Sequence, residues 1–153
     1  MFEKKLIVLA QERFESKEEV IRYLTHIENE KVSDQDRYEK DVLERENTIP
    51  TYVGYSIGLP HARTSGVNEA FVVYARLKNE VAWGETEDEK ADQVFLIGVP
   101  EKNENDGSAN NLHLKILAML SRKLVHEDFR NKLAEAKTNE EIYDVLKEIE
   151  EDK

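Results

Sequence analysis

A chain of 153 residues that is 39% apolar and 36% charged has the length and balance of one soluble globular domain, which excludes a disordered or low-complexity polymer. Its formal net charge of -11 disfavours nucleic-acid phosphates and anionic lipid heads as partners, and suits either plain solubility or a protein partner with a basic face. The absence of cysteine excludes a disulfide, a thiolate metal site and a cysteine nucleophile, and fits the cytosol.

Leu6 to Ala10 is aliphatic and β-branched and reads as a buried first strand. Five apolar residues followed by Gln-Glu-Arg are too few for a signal peptide, and no run approaches the ~20 apolar residues of a membrane span. Ser16-Lys17-Glu18-Glu19 is a capping box, predicting a helix with Val20, Ile21, Leu24 and Ile27 inward. Ser33, followed by Asp34 and Asp36, reads as the next N-cap. Its helix would turn Tyr38, Val42 and Leu43 inward and stop near Asn47, with Pro50 blocking continuation. Val53 to Leu59 reads as extended, broken by Gly54 and Gly58, and Ala70 to Leu77 as a strand. Glu85 to Lys90 is a charged turn. Val94 to Val99 is apolar on both faces, as a strand central in its sheet is, and Pro100 ends it. Glu101 to Asn111 is polar and rich in Asn, Gly and Ser, a loop pattern. From Leu112 the apolar period is helical, through Ile116, Leu117, Met119, Leu120 and Leu124. A short helix follows His126, and Thr138-Asn139-Glu140-Glu141 is a second capping box that opens a last helix. Strands interspersed with helices predict an α/β fold, a mixed β-sheet flanked by helices in layers and forming a single domain.

Three side chains carry the candidate chemistry. His61 follows Pro60, whose fixed φ constrains the backbone entering it, while Gly58 would admit another backbone or a bound partner. A histidine so placed can be structural, or its neutral ring can offer a nucleophilic nitrogen. His113, preceded by Asn110 and Asn111, sits at a loop–helix junction. There it can satisfy loose backbone groups, or donate to a phosphoryl oxygen carried by His61. Arg45, within Glu44-Arg45-Glu46, is either one end of a solvated salt bridge or a fork for phosphate oxygens. His26 and His126 read as structural or surface histidines. No HxH or HExxH spacing supports a metal site, and no GxGxxG, P-loop or G-x-S-x-G turn is present.

Arg45-Glu46, Thr51, Gly54 and Ile57-Gly58-Leu59-Pro60-His61 resemble the active-site region of the enzyme IIA domains of the fructose–mannitol class. These domains belong to the bacterial phosphoenolpyruvate-dependent sugar phosphotransferase system. Val94-Phe95-Leu96-Ile97, Pro100-Glu101, Ala109-Asn110, His113-Leu114, Leu117-Ala118, Leu120-Ser121 and Leu124 resemble the second histidine segment of the same domains. Phe129, Leu133, Ala136 and Glu140-Glu141-Ile142 continue the likeness.

The resemblance implies one such domain over residues 1–153, with two imidazoles in a shallow cleft. By that likeness His61 takes a phosphoryl group on Nε2 from the phosphohistidine of HPr and hands it to a cysteine of a IIB component. His113 supports the phosphoryl group, and Arg45 is a phosphate-side or orienting residue. The implied relay needs no metal or organic cofactor. It is cytoplasmic, makes no nucleic-acid contact, and works with a membrane IIC partner without inserting itself. With no cysteine in the sequence, the acceptor is expected on another chain, and the chain is expected to be a separate A component. Thr51-Tyr52-Val53-Gly54 and Ser56-Ile57 lean towards mannitol-type domains, and the His113 helix towards fructose-type, so a fructose-like sugar is favoured without being fixed. Many members carry alanine where this chain has Gly58. Two other functions remain open: a regulatory module of the same fold that signals by His61 phosphorylation, and a binding domain in which His61 is inert.

Overall fold

The structure, a computed structural model, describes residues 1–101 and 112–151. Of the loop read at Glu101 to Asn111, residues 102–111 lie outside the described residues. The expected α/β layering is present, as a five-stranded mixed sheet with helices on both faces.

Leu6 closes a 3-10 turn, Lys4–Leu6, so the first strand, β1, is shorter than its apolar run and covers Ile7–Leu9. β4 (Phe71–Ala82) and β5 (Lys90–Pro100) form the long antiparallel centre. β1 adds parallel to β4. Two short strands, β2 (Ile57–Gly58) and β3 (His61–Thr64), add parallel to successive stretches of β5. β5 is therefore paired on both sides, which is why its sequence is apolar at consecutive positions.

Alternation along β4 and β5 divides the core. Val72, Tyr74, Phe95, Ile97 and Val99 pack with the carboxy-terminal helices α3 (Leu112–Leu124), α4 (Glu127–Glu135) and α5 (Asn139–Glu151). Phe71, Val73, Ala75, Val94 and Leu96 pack with α1 (Lys17–Thr25) and α2 (Gln35–Thr48). Each fully buried Leu, Ile, Val or Phe contributes about 1.5–3 kcal/mol relative to exposure.

Local signals set most of the helix boundaries. The Ser16 hydroxyl accepts from Glu19 N, although Glu19 reaches back to Glu15 N rather than to Ser16. Thr138 and Glu141 form the complete reciprocal box at the start of α5. The N-cap of α2 is Asp34, not Ser33: Asp34 Oδ1 accepts from Arg37 N at 3.0 Å. The Ser33 and Asp34 amides both donate to the Gly66 carbonyl, which anchors that segment one residue ahead of the helix. The stretch read as extended from Val53 is interrupted by a turn in which Gly54, Tyr55 and Ser56 all have positive φ.

Candidate active site

β3 brings the first imidazole into place. The Pro60 carbonyl accepts from Ile97 N at 3.0 Å, and His61 pairs opposite Ile97, so the ring stands at the first residue of a strand fixed on the central β5. His61 is buried, and its Nδ1 lies 2.9 Å from the Leu59 carbonyl oxygen. A carbonyl can only accept, so Nδ1 carries the proton and the lone pair resides on Nε2. Burial pushes the His61 imidazole below its ordinary pKa of 6.5. Its hydrogen bond to Leu59 opposes the shift, the charges of Arg45 and His113 add to it, and Glu46 opposes it. The neutral, nucleophilic ring is therefore the form that prevails at neutral pH.

His113 is the second residue of α3. Its ring centroid lies 6.4 Å from that of His61, with the two planes inclined at 27°. Its Nδ1 is buried and meets no hydrogen-bond partner among the described residues. Burial lowers its pKa too, reinforced by Arg63 and Arg45. Arg45, in the last turn of α2, donates from Nη1 to the Ile49 carbonyl at 2.8 Å. Among the described residues it makes no ion pair with Glu44 or Glu46, and its charge is felt by both imidazoles. The three side chains singled out in the sequence thus line one cleft of about 410 Å³.

Two further arginines, Arg37 and Arg63, line this cleft without belonging to a motif that points to it. Arg63 follows His61 by two residues on β3, the spacing that puts side chains on one face of a strand. Arg37, Asp41, Arg45 and Thr48 recur at the three- and four-residue intervals of one helix face. A chain of net charge -11 gathers three guanidinium groups and two imidazoles here, against the carboxylates Asp41, Glu44 and Glu101. Asp41 is already engaged, accepting from Arg37 Nε at 3.0 Å and Thr64 Oγ1 at 2.6 Å. The lining charges balance, so what the cleft offers an incoming anion is placed guanidinium and imidazole N–H donors rather than a net positive field. Among the described residues no three His, Asp or Glu side chains cluster as a metal site.

The space beside Gly58 is taken by a side chain of this chain rather than by another backbone. The Trp83 indole lies against it, so that an added Cβ would lie 2.6 Å from the ring. His26 bridges α1 to α2, with Nε2 3.2 Å from Asp36 and Nδ1 3.5 Å from Glu39. His126 is the N-cap residue of α4 without a side-chain capping bond.

The family model for the phosphoenolpyruvate-dependent sugar phosphotransferase system, EIIA 2, matches residues 1–149. The fructose-specific EIIA component of Haloferax volcanii is 38% identical over 138 residues, 89% of this chain and 86% of that protein. The fructose-specific EIIABC component of Bacillus subtilis is 33% identical over 116 residues, 76% of this chain but only 17% of that much longer protein. Among solved structures, enzyme IIAMTL in its complex with phosphorylated enzyme IIBMTL from Escherichia coli superposes with a TM-score of 0.79. It is 26% identical, over 97% of this chain and 98% of that one.

Proposed function

Because the chain belongs to the EIIA 2 family of the phosphoenolpyruvate-dependent sugar phosphotransferase system, a family of phosphotransferase components, we propose that His61 is the residue that carries its phosphoryl group. Nε2 of His61 attacks the phosphorus of the phosphohistidine on HPr. The new N–P bond forms as the donor's N–P bond breaks, and that electron pair returns to the donor ring. In the onward step the thiolate of a IIB cysteine forms an S–P bond and the His61 N–P pair returns to Nε2. With no cysteine in these 153 residues, that thiolate lies outside them.

The observation that carries this reading is the Nδ1–H to Leu59 bond, which leaves the nucleophilic lone pair on Nε2 of a ring that shares its cleft with Arg45 and His113. Transfer of this kind needs placed positive charge and hydrogen-bond donors around three equatorial oxygens, and little other chemistry. His113 and Arg45 supply them, His113 supporting the transferring group and Arg45 orienting it. The relay draws on no bound metal or organic cofactor, and residues 1–153 act as one domain. The fructose-specific name of the Haloferax relative supports a fructose-like sugar, and the Escherichia coli complex supports a IIB acceptor. No helix among the described residues is long and apolar enough to cross a membrane, in keeping with a cytoplasmic partner of a membrane IIC.

Intact-mass spectrometry after incubation with phosphoenolpyruvate, enzyme I and HPr tests the reading. One acid-labile phosphoryl group, absent from His61→Ala, is expected. No mass increase with active upstream proteins would overturn it. Labelling without transfer to any IIB cysteine would point instead to a regulatory module of the same fold.

A further inference from the structure

Behind His61 lies a buried charge that the relay does not use. The Glu46 side chain is 1% exposed and holds three donors: Lys17 Nζ at 3.0 Å, Thr51 N at 2.8 Å and Thr51 Oγ1 at 2.5 Å. Lys17 also donates to the Trp83 carbonyl at 3.0 Å, and Trp83 Nε1 donates to Thr51 Oγ1 at 3.4 Å. The Thr51 carbonyl in turn accepts from Leu59 N at 2.8 Å, and the Leu59 carbonyl accepts the His61 Nδ1 proton. An unbroken series of contacts therefore runs from the Lys17–Glu46 pair, through Thr51 and the Leu59 main chain, to the imidazole.

Taking His61 as the phosphoryl acceptor, we propose that Glu46 is a positioning residue: it fixes the Leu59 carbonyl, and with it which His61 nitrogen is the nucleophile. A buried ion pair is a poor source of stability, because desolvating both charges offsets most of their attraction. Stability alone therefore gives little reason to bury a carboxylate here, whereas a fixed negative charge behind the ring has a use. When Nε2 bonds to phosphorus, positive charge develops on the imidazole and is shared through Nδ1–H. A carbonyl held rigidly at Nδ1, with a carboxylate behind it, stabilises that charge before it forms. The charged groups that act on His61 are Arg45 and Glu46 from α2 and the ring of His113 from α3, and only Glu46 raises its proton affinity.

Two variants test the assignment. Glu46→Gln keeps the shape and removes the charge. Lys17→Met with Glu46→Gln removes both charges, so no unpaired ion is left buried to unfold the protein. Nitrogen-15 NMR of the unphosphorylated protein reads the His61 tautomer and titration midpoint, which do not depend on phosphoryl transfer. In folded variants we expect a loss of Nδ1–H population and a lower midpoint. Single-turnover labelling by phospho-HPr should slow roughly ten- to a hundredfold, by analogy with the loss of a group that orients a metal-ligating histidine. A folded double variant with wild-type tautomer, midpoint and rate would reduce Glu46 to a structural anchor and overturn the assignment. Wild-type protein that takes up no phosphate would instead defeat His61 as acceptor, and the NMR would still report whether Glu46 positions the ring.

Discussion

His61 Nδ1 lies 2.9 Å from the carbonyl oxygen of Leu59, two residues earlier in the chain, so the ring is held in one tautomer by its own backbone. Burial, the first cause, then holds its pKa below the ordinary 6.5. The midpoint of His61 in a proton NMR titration should accordingly fall below 6.5, and a midpoint above it would contradict the electrostatics of the cleft. The stability consequence has a definite sign. Between 6.5 and the depressed folded value the unfolded chain binds more protons, so His61 destabilises the fold as pH falls through that window. His61→Gln, which cannot titrate, should lose less stability than wild type between about pH 7 and pH 5. His26 acts in the opposite sense. Although burial lowers its pKa, the Asp36 and Arg22 hydrogen bonds and Glu39 raise it overall. Its contribution is complete below 6.5 and fades as pH rises through the raised folded value, and it is common to both proteins in this comparison.

Arg45 is the cation shared by both imidazoles, lowering the pKa of each. Arg45→Gln should therefore raise both midpoints. It also removes the guanidinium bond to the Ile49 carbonyl just past the end of α2, at a cost of about 0.5–1.5 kcal/mol in a denaturant titration. Unchanged midpoints in a folded variant would show that solvent screens Arg45 from the rings.

His113→Ala should leave the protein folded, because the ring is only partly buried, while labelling of His61 slows and transfer to IIB suffers. Losing one preorganised donor to developing charge costs about 10²–10³ in rate. Rapid-quench measurement of both half-reactions gives the answer, and wild-type rates in each would remove His113 from the site.

Much of this was legible in the chain. The consecutive apolar residues of Val94 to Val99 placed β5 at the centre, and the pairing of β5 on both sides bears this out. His61, His113 and Arg45 were legible as types and in their resemblance to a family, and the fold brings all three to one cleft. β3 was not legible, because Pro60 and the polar residues Arg63 and Thr64 hide a four-residue strand that exists only through its partner β5. Glu46 looked like one more charge in Glu44-Arg45-Glu46. Its phase says otherwise, since Tyr38, Val42 and Glu46 fall at four-residue intervals on the buried face of α2. What sequence could not supply was the donor set, which comes from Lys17 and Thr51, on either side of that helix in the chain.

Gly58 ties the site to the core behind it. A Cβ at this position would lie 2.6 Å from the fully buried Trp83 indole, which cannot swing aside as an exposed side chain would. Trp83 is also held at both ends of the network behind His61, by Lys17 at its carbonyl and by Thr51 at its indole nitrogen. Gly58→Ala should therefore cost about 1–3 kcal/mol, the usual penalty for overpacking, read as a lower denaturation midpoint at unchanged slope. In a Trp83→Phe background the smaller ring relieves the contact, so the same substitution should cost less there. The double-mutant cycle would then show a coupling of about 0.5 kcal/mol or more, as expected for side chains in contact. Additive losses would mean that the indole can retreat from residue 58 without cost.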